Sequence, residues 1–358
     1  MQWSVSLGRI AGIEVKVHAT FVLILAWTGW TQYRLGGPQA IVPGVLFVLT
    51  LFTCVVLHEF GHALAARRYG IKTMDITLLP IGGVARLERM PEEPHQELVV
   101  ALAGPFVNML IVAVLAVLLQ ATGVWVSFDK MDPATGPFFQ RVLIVNVFLA
   151  VFNLIPAFPM DGGRVLRALL ASRMGFPQAT QVAASVGQGI ALLFGLIGLF
   201  ANPFLIFIAL FVWIGAAQEA MMVQTRSALA GIPVSRAMLT EFHTLTPSDS
   251  LERAVDLILA GSQQDFPVLD GEQVVGVLTR SDLFVALAKK SNHSVSDVMR
   301  PLADGVEAQA PLEESVAGLD PREKPLIPVM QAGRLVGILT AENIGEFLLI
   351  QTALRART

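Results

Sequence analysis

Residues 41–66 read IVPGVLFVLTLFTCVVLHEFGHALAA. The run is long enough to cross a hydrocarbon core, for which about 20 apolar residues suffice. Its C-terminal part nevertheless holds His58, Glu59 and His62, and ionisable side chains are costly at membrane depth and mark function there. Two His at i and i+4 share one helix face, where their imidazoles can converge on one zinc ion. A Glu beside the first can take a proton from water activated at that ion. Arg67 follows His58 by nine residues, about 13 Å along a helix, so the site lies inside the bilayer, nearer the end that carries Arg67 and Arg68.

Further apolar runs cover residues 17–33, 97–121, 138–155, 181–200 and 203–224. The expected fold is therefore a polytopic α-helical membrane protein of about six transmembrane helices. The whole chain of 358 residues agrees, with 54% apolar and 15% charged residues and a mean hydropathy of +0.63. A soluble domain has about 45–50% and about 25%. No basic block long enough to track phosphates exists, which argues against a nucleic-acid partner, and a single cysteine, Cys54, excludes an intrachain disulfide.

Among the short connections, Arg9, Lys16, Arg67, Arg68, Lys72, Arg86, Arg89, Arg164, Arg167, Arg173, Arg226 and Arg236 fall on one side, and only Arg34, Lys130 and Arg141 on the other. The positive-inside rule makes both termini cytoplasmic. The N-terminus lacks the features of a cleaved signal peptide. Residues 71–90 are rich in strand formers around Pro80-Ile81-Gly82-Gly83, which predicts a small sheet at the cytoplasmic face. An edge strand there could pair with an extended guest chain.

A catalytic zinc has three protein ligands and one open position. His18, His95, His243 and His293 lie at a run start, in a polar connector or in the soluble part. Asp161 is the better third ligand. It stands in NLIPAFPMDGGR, residues 153–164, where two prolines and two glycines break the fourth run and put irregular backbone at membrane depth, tolerated only around a cavity. The alternative is that Asp161 only caps the following helix. Cys54, one turn before His58, is not needed once two His and an Asp complete the set.

The residues up to Ile232 carry a net charge of +3, and those from Pro233 onward a net of −6. The second part repeats itself at an offset of 61: Val234-Ser235 recurs as Val295-Ser296, Pro267-Val268 as Pro328-Val329, and residues 275–279 (VGVLT) as 336–340 (VGILT). Each copy ends in strand, strand, helix, and one copy alone is too small to bury much surface, so the two should pack as one unit.

HEFGH in the second run, Gly104-Pro105-Phe106-Val107-Asn108 in the third, the Pro-x-Gly-Gly turn between them and Pro156-x-x-Pro159-Met160-Asp161-Gly162-Gly163 later in the chain resemble the site-2 protease family of intramembrane zinc metalloproteases. Met160 replaces the usual Leu, a swap of similar volume. The repeat resembles the cystathionine β-synthase-type (CBS) domain pair, a known appendage of prokaryotic members. The resemblance implies one Zn2+ held by His58, His62 and Asp161, and Glu59 as general base and then acid. It also implies Asn153 as a donor to the oxyanion, Asn108 as a packing or loop-positioning residue, and a transmembrane protein substrate. For the repeat it implies an adenine nucleotide such as ATP or AMP held by Thr279 and Asp282, with Asp282 as a helix cap being the plain alternative. The second copy has Thr340 and Asn343, and Asn lacks the carboxylate that binds two ribose hydroxyls. CBS pairs also associate, which implies a homodimer. The expected domains are 1–224 (membrane protease), 225–232 (linker), 233–293 (CBS domain 1) and 294–358 (CBS domain 2), in a prokaryotic cell membrane with the CBS pair in the cytoplasm. A zinc or other ion transporter with a CBS sensor is the rival. It is disfavoured because no inverted copy of the membrane segment is apparent and because transport gives no reason for Glu59.

Overall fold

A computed structural model describes residues 3–80, 82–125, 136–289, 294–301, 305–316 and 324–355, and the chain divides into two compact units, Met1–Met221 and Met222–Thr358. Ile81, Lys130 and His293, used above, lie outside the described residues.

The first unit opens with a hairpin the apolar runs do not reveal. Strands β1 (Ser4–Ile10) and β2 (Ile13–His18) pair antiparallel. The run expected from residue 17 becomes helical only at Phe21, because Ile13, Val15 and Val17 alternate with Glu14, Lys16 and His18, which is the period of a strand. Helix α1 (Phe21–Gly36) leads to α2 (Pro38–Arg68), whose 31 residues span about 46 Å. The sheet expected at 71–90 follows as β3 (Thr73–Leu79) and β4 (Gly82–Leu87). Because β2 pairs parallel with β3, one sheet of order β1-β2-β3-β4 results, with β4 at its edge.

Helices α3 (Pro94–Ala121), α4 (Phe138–Asn153), α5 (Asp161–Ala171), α6 (Phe176–Phe200) and α7 (Phe204–Leu229) complete the unit and lead out of it. Among the described residues, α2, α3, α6 and α7 are the four helices long and apolar enough to cross a membrane. Helices α1 and α4, with 16 residues each, are shorter. Pro156 and Pro159 keep α4 from continuing, and the chain re-enters a helix only at Asp161. The buried positions between helices are mostly small: Ala63, Ala66, Ala101, Gly104, Ala183, Ala184 and Ala216. In lipid, where apolar burial gives little drive, close backbone approach of this kind holds helices together.

The second unit contains α8 (Leu251–Ala260), β5 (Phe266–Asp270), β6 (Gln273–Leu278), α9 (Arg280–Ala288), α10 (Val295–Val298), β7 (Arg300–Pro301), β8 (Val306–Glu307), α11 (Leu312–Val316), β9 (Leu326–Gln331), β10 (Arg334–Thr340) and α12 (Ala341–Arg355). The offset of 61 survives in space, since α9 and α12 begin 61 residues apart. The copies also exchange chain. Arg300, leading the second copy, pairs with Val277 of β6 in the first, and Leu239, its counterpart in the first copy, bridges to Ile338 of β10 in the second. Val277, Leu326 and Ile338 share one buried cluster drawn from both copies. Residues 225–229, expected in the linker, continue α7, and Leu229 is buried in the core of the second unit.

One ion cluster pins the sheet of the first unit. Asp75 of β3 is 1% exposed, and it accepts from Arg86 of β4 through Nε at 2.8 Å and from Lys16 of β2 at 3.0 Å. The Arg86 guanidinium, helped by Lys16 and against the effect of burial, holds the Asp75 carboxyl well below the usual carboxylate range. Its stabilising contribution is therefore complete above the unfolded carboxylate value near 4 and is lost as pH falls from there toward the lower folded value. The protection factors of the β3 and β4 amides, corrected for the pH dependence of intrinsic exchange, should fall on acidification through that window, and Asp75→Asn should show lower protection at neutral pH while losing that part of the acid dependence.

Candidate metal centre and its surroundings

Helix α2 carries His58 and His62 on one buried face, with their rings edge to face and centroids 4.8 Å apart. Asp161 is the first residue of α5. No side chain caps that helix, so the Asp161 carboxylate is not engaged as a cap and turns instead toward the imidazoles. The Nε2 atoms of His58 and His62 are 3.1 Å apart, and Asp161 Oδ2 lies 3.2 Å from each. Tetrahedral ligands about 2.05 Å from a zinc ion stand about 3.3 Å from one another, which this triangle matches.

The outer nitrogens decide what the inner ones can do. His62 Nδ1 lies 2.7 Å from the Val100 carbonyl, which can only accept, so Nδ1 carries the proton. His58 Nδ1 lies 2.5 Å from Asn108 Oδ1, while Asn108 Nδ2 donates to Asn146 Oδ1 at 3.2 Å and Asn146 Nδ2 donates to the Val142 carbonyl at 2.8 Å. That chain of donors directs Asn108 Oδ1 at His58 and fixes a proton on His58 Nδ1 as well. Both Nε2 atoms then present lone pairs toward each other and toward a carboxylate oxygen. With both imidazoles neutral, three acceptors face one point, a donor set that fits a divalent cation.

Helix α3 passes close behind. A Cβ at Gly104 would sit 2.6 Å from His58 Nε2 and would overlap His62 Nε2 as well, so glycine keeps this side of the triangle open.

A cavity of about 430 Å³ opens in front of the triangle, lined by Glu59, Asn153, Met160, Arg164 and the edge of β4 from Gly82 to Ala85. Glu59 is half-buried, and its Oε2 accepts from the Ala85 N–H at 3.1 Å. Asn153 ends α4 at the cavity wall. Cys54 is buried one turn before His58 and stands outside the metal-capable set, as do His18, His95 and His243.

Three charges escaped the sequence reading of the site. Arg167 of α5, 1% exposed, donates to Glu97 of α3 at 2.7 Å and to Glu219 of α7 at 2.6 Å, and its guanidinium lies over Phe158 and Phe176. Together with Asn146, these residues carry the signal that singled out His58: a polar group inside a stretch that is otherwise apolar.

In the second unit, Thr279 rather than Asp282 caps α9, accepting from the Asp282 N–H at 3.2 Å. The Thr279 hydroxyl donates to Asp282 Oδ2 at 2.6 Å, and Arg300 donates to both Asp282 oxygens at 2.6 and 3.0 Å. Burial works to raise the Asp282 carboxyl, but Arg300 and Thr279 prevail and hold it lowered. Thr340 and Asn343 repeat the local geometry in the second copy, with Oγ1 to Oδ1 at 2.6 Å.

Comparison with known proteins agrees with both halves. The model of Peptidase family M50 matches residues 46–132 and 129–196, and that of the CBS domain matches residues 234–289. The chain is 34% identical over 346 residues to a zinc metalloprotease of Methanocaldococcus jannaschii, with 96% of each covered. It is 30% identical over 374 residues to the protein Rip3 of Mycobacterium tuberculosis, covering 97% of this chain and 93% of that one. The solved site-2 protease from Methanocaldococcus jannaschii is 37% identical, covers 61% of this chain and 95% of its own, and superposes with a TM-score of 0.45.

Removing the partner of a ligating imidazole weakens a metal site about 10- to 100-fold. Asn108→Ala should lower zinc affinity by that factor, measured by competition with a chelator, while circular dichroism shows the helices unchanged.

Proposed function

Because the chain belongs to peptidase family M50, the site-2 protease family of zinc metalloproteases, we propose that His58, His62 and Asp161 hold the zinc ion and that Glu59 is the base, and then the acid, of its hydrolysis of peptide bonds within membrane-protein substrates. The observation that carries this assignment is the convergence of two imidazole Nε2 atoms and one carboxylate oxygen beside a cavity that Glu59 also lines.

When bound, zinc supplies Lewis acidity toward water and toward a peptide carbonyl. Glu59 takes the proton from the attacking water and delivers it to the leaving amine. Asn153, at the cavity wall, donates its amide to the oxygen on which charge develops. Asn108 and the Val100 carbonyl hold the imidazoles in orientation throughout. A helical substrate hides its carbonyls in its own hydrogen bonds, so a transmembrane segment must unwind before it is cut. The free edge of β4 beside the cavity offers replacement bonds to such an extended segment.

The bias of Lys and Arg toward one set of connections supports an orientation with both termini and the CBS pair in the cytoplasm, in the cell membrane of a prokaryote. The protease part ends near residue 224, a junction covers 225–232, and the CBS domains occupy 233–293 and 294–358. The pair acts as a regulator that binds an adenine nucleotide, ATP or AMP, through Thr279 and Asp282, and it associates as a homodimer. Asn343, without a carboxylate, makes the second copy the weaker site.

Glu59→Gln should abolish cleavage of a single-pass membrane substrate while zinc stays at one per chain by elemental analysis; a variant that cuts at the parental rate overturns the mechanism. Asp282→Ala should weaken AMP binding to the full-length protein by at least about ten-fold in calorimetric titration, since it removes hydrogen bonds to a charged acceptor.

A further inference from the structure

Strand β4 is an edge of its sheet, and among the described residues the N–H groups on its outer side have no strand to pair with. At Ala85 that place is taken. Ala85 lies opposite Ile76 of β3 but directs its N–H away from β3, to Glu59 Oε2 at 3.1 Å. A side-chain carboxylate thus sits where the carbonyl of an added strand would sit. The approach is close only because residue 83 has no side chain: a Cβ there would lie 2.9 Å from Val55 Cγ1 and 3.0 Å from Glu59 Cγ. Gly82 to Ala85 line the same cavity as the three ligand atoms, so the edge, the base and the metal triangle share one space.

We infer that Glu59 is latched to β4 in the resting enzyme and that a substrate strand releases it by taking the Ala85 N–H. The inference rests on the readings of Glu59 as the base and of β4 as the edge that receives the substrate. An N–H donates well along one direction only, and the hydrogen bonds of a strand pair run backbone to backbone. A strand added to β4 brings a carbonyl to Ala85, and the carboxylate, displaced, turns to the water at the scissile bond. One hydrogen bond replaces another, and no covalent bond changes in the exchange. The base therefore becomes available where an extended backbone is already paired, and a peptide too short to pair meets a base still held. Ala85 is a positioning residue that acts through Glu59.

The test uses the purified full-length, zinc-loaded enzyme in detergent with two substrates: a single-pass transmembrane protein, and a tetrapeptide carrying its cleavage site but too short to pair along β4. Ala85→Pro deletes the N–H, and because that donor faces outward on an edge strand it leaves the bonds to β3 intact. The tetrapeptide kcat should rise about ten-fold while KM for the transmembrane protein rises by a similar factor, the scale of one hydrogen bond to a charged group. Replacing Ala85 by lactate, an ester oxygen in place of N–H, should give the same split without a proline ring. If both substrates slow together in the lactate variant, or neither changes, the latch is wrong. If the parent cleaves and Glu59→Gln does not, yet residue 85 gives no split, the latch alone falls. A Glu59→Gln enzyme that cuts both substrates at the parental rate removes the base assignment and the latch with it.

Discussion

Hydrocarbon offers no hydrogen-bond partner, so a polar group placed among apolar helices must be answered by another group of the same chain. Within the first unit that demand organises what surrounds the metal centre. Val142 answers Asn146, Asn146 answers Asn108, and Asn108 answers His58, while Val100 answers His62. Arg167 is shared between Glu97 and Glu219. After these pairings three ligand-type atoms remain directed at one another, two Nε2 atoms and Asp161 Oδ2, a set that could hold a metal ion. Removing one partner of a buried ion pair costs about 3–5 kcal/mol. The helices that carry His58, His62 and Asp161 are therefore held by the same network that leaves these three side chains facing one another.

Much of this was legible from residues alone. His58, Glu59 and His62 announce themselves by standing in an apolar run, Asp161 by the prolines and glycines around it, the sheet at 71–90 by its β-branched residues, and the second unit by its repeat. The illegible parts share a physical cause. Val15 and Val17 extend an apolar run while obeying a strand period, so the N-terminal hairpin merges with the first helix when only hydropathy is read. Glu97, Arg167, Glu219 and Asn146 are visibly anomalous, but which of them meet depends on which helices are neighbours, and hydrophobic patterning does not state adjacency. Asp282 and Thr279 pose the same difficulty at shorter range, since either could cap α9 and only the backbone geometry decides for Thr279.

The two halves use strand edges in opposite ways. In the first unit β4 has no neighbouring strand on its outer side among the described residues, and there its Ala85 N–H meets the carboxylate of Glu59. In the second, the segment at the head of each copy closes an edge of the other. An open edge is a hazard in most proteins because it invites unwanted pairing. Here the edge beside the cavity is short, six residues, and starts at Gly82 opposite Leu79 of β3.

The exchange between the CBS copies makes them a clasp. Arg300 reaches back to Val277 and Leu239 reaches forward to Ile338, so each half is finished by residues that belong in sequence to the other. A polypeptide nicked between the two copies would stay assembled, with its fragments joined by backbone hydrogen bonds and by the common cluster of Val277, Leu326 and Ile338. Either fragment alone would be left with an unfinished sheet and a bare apolar face.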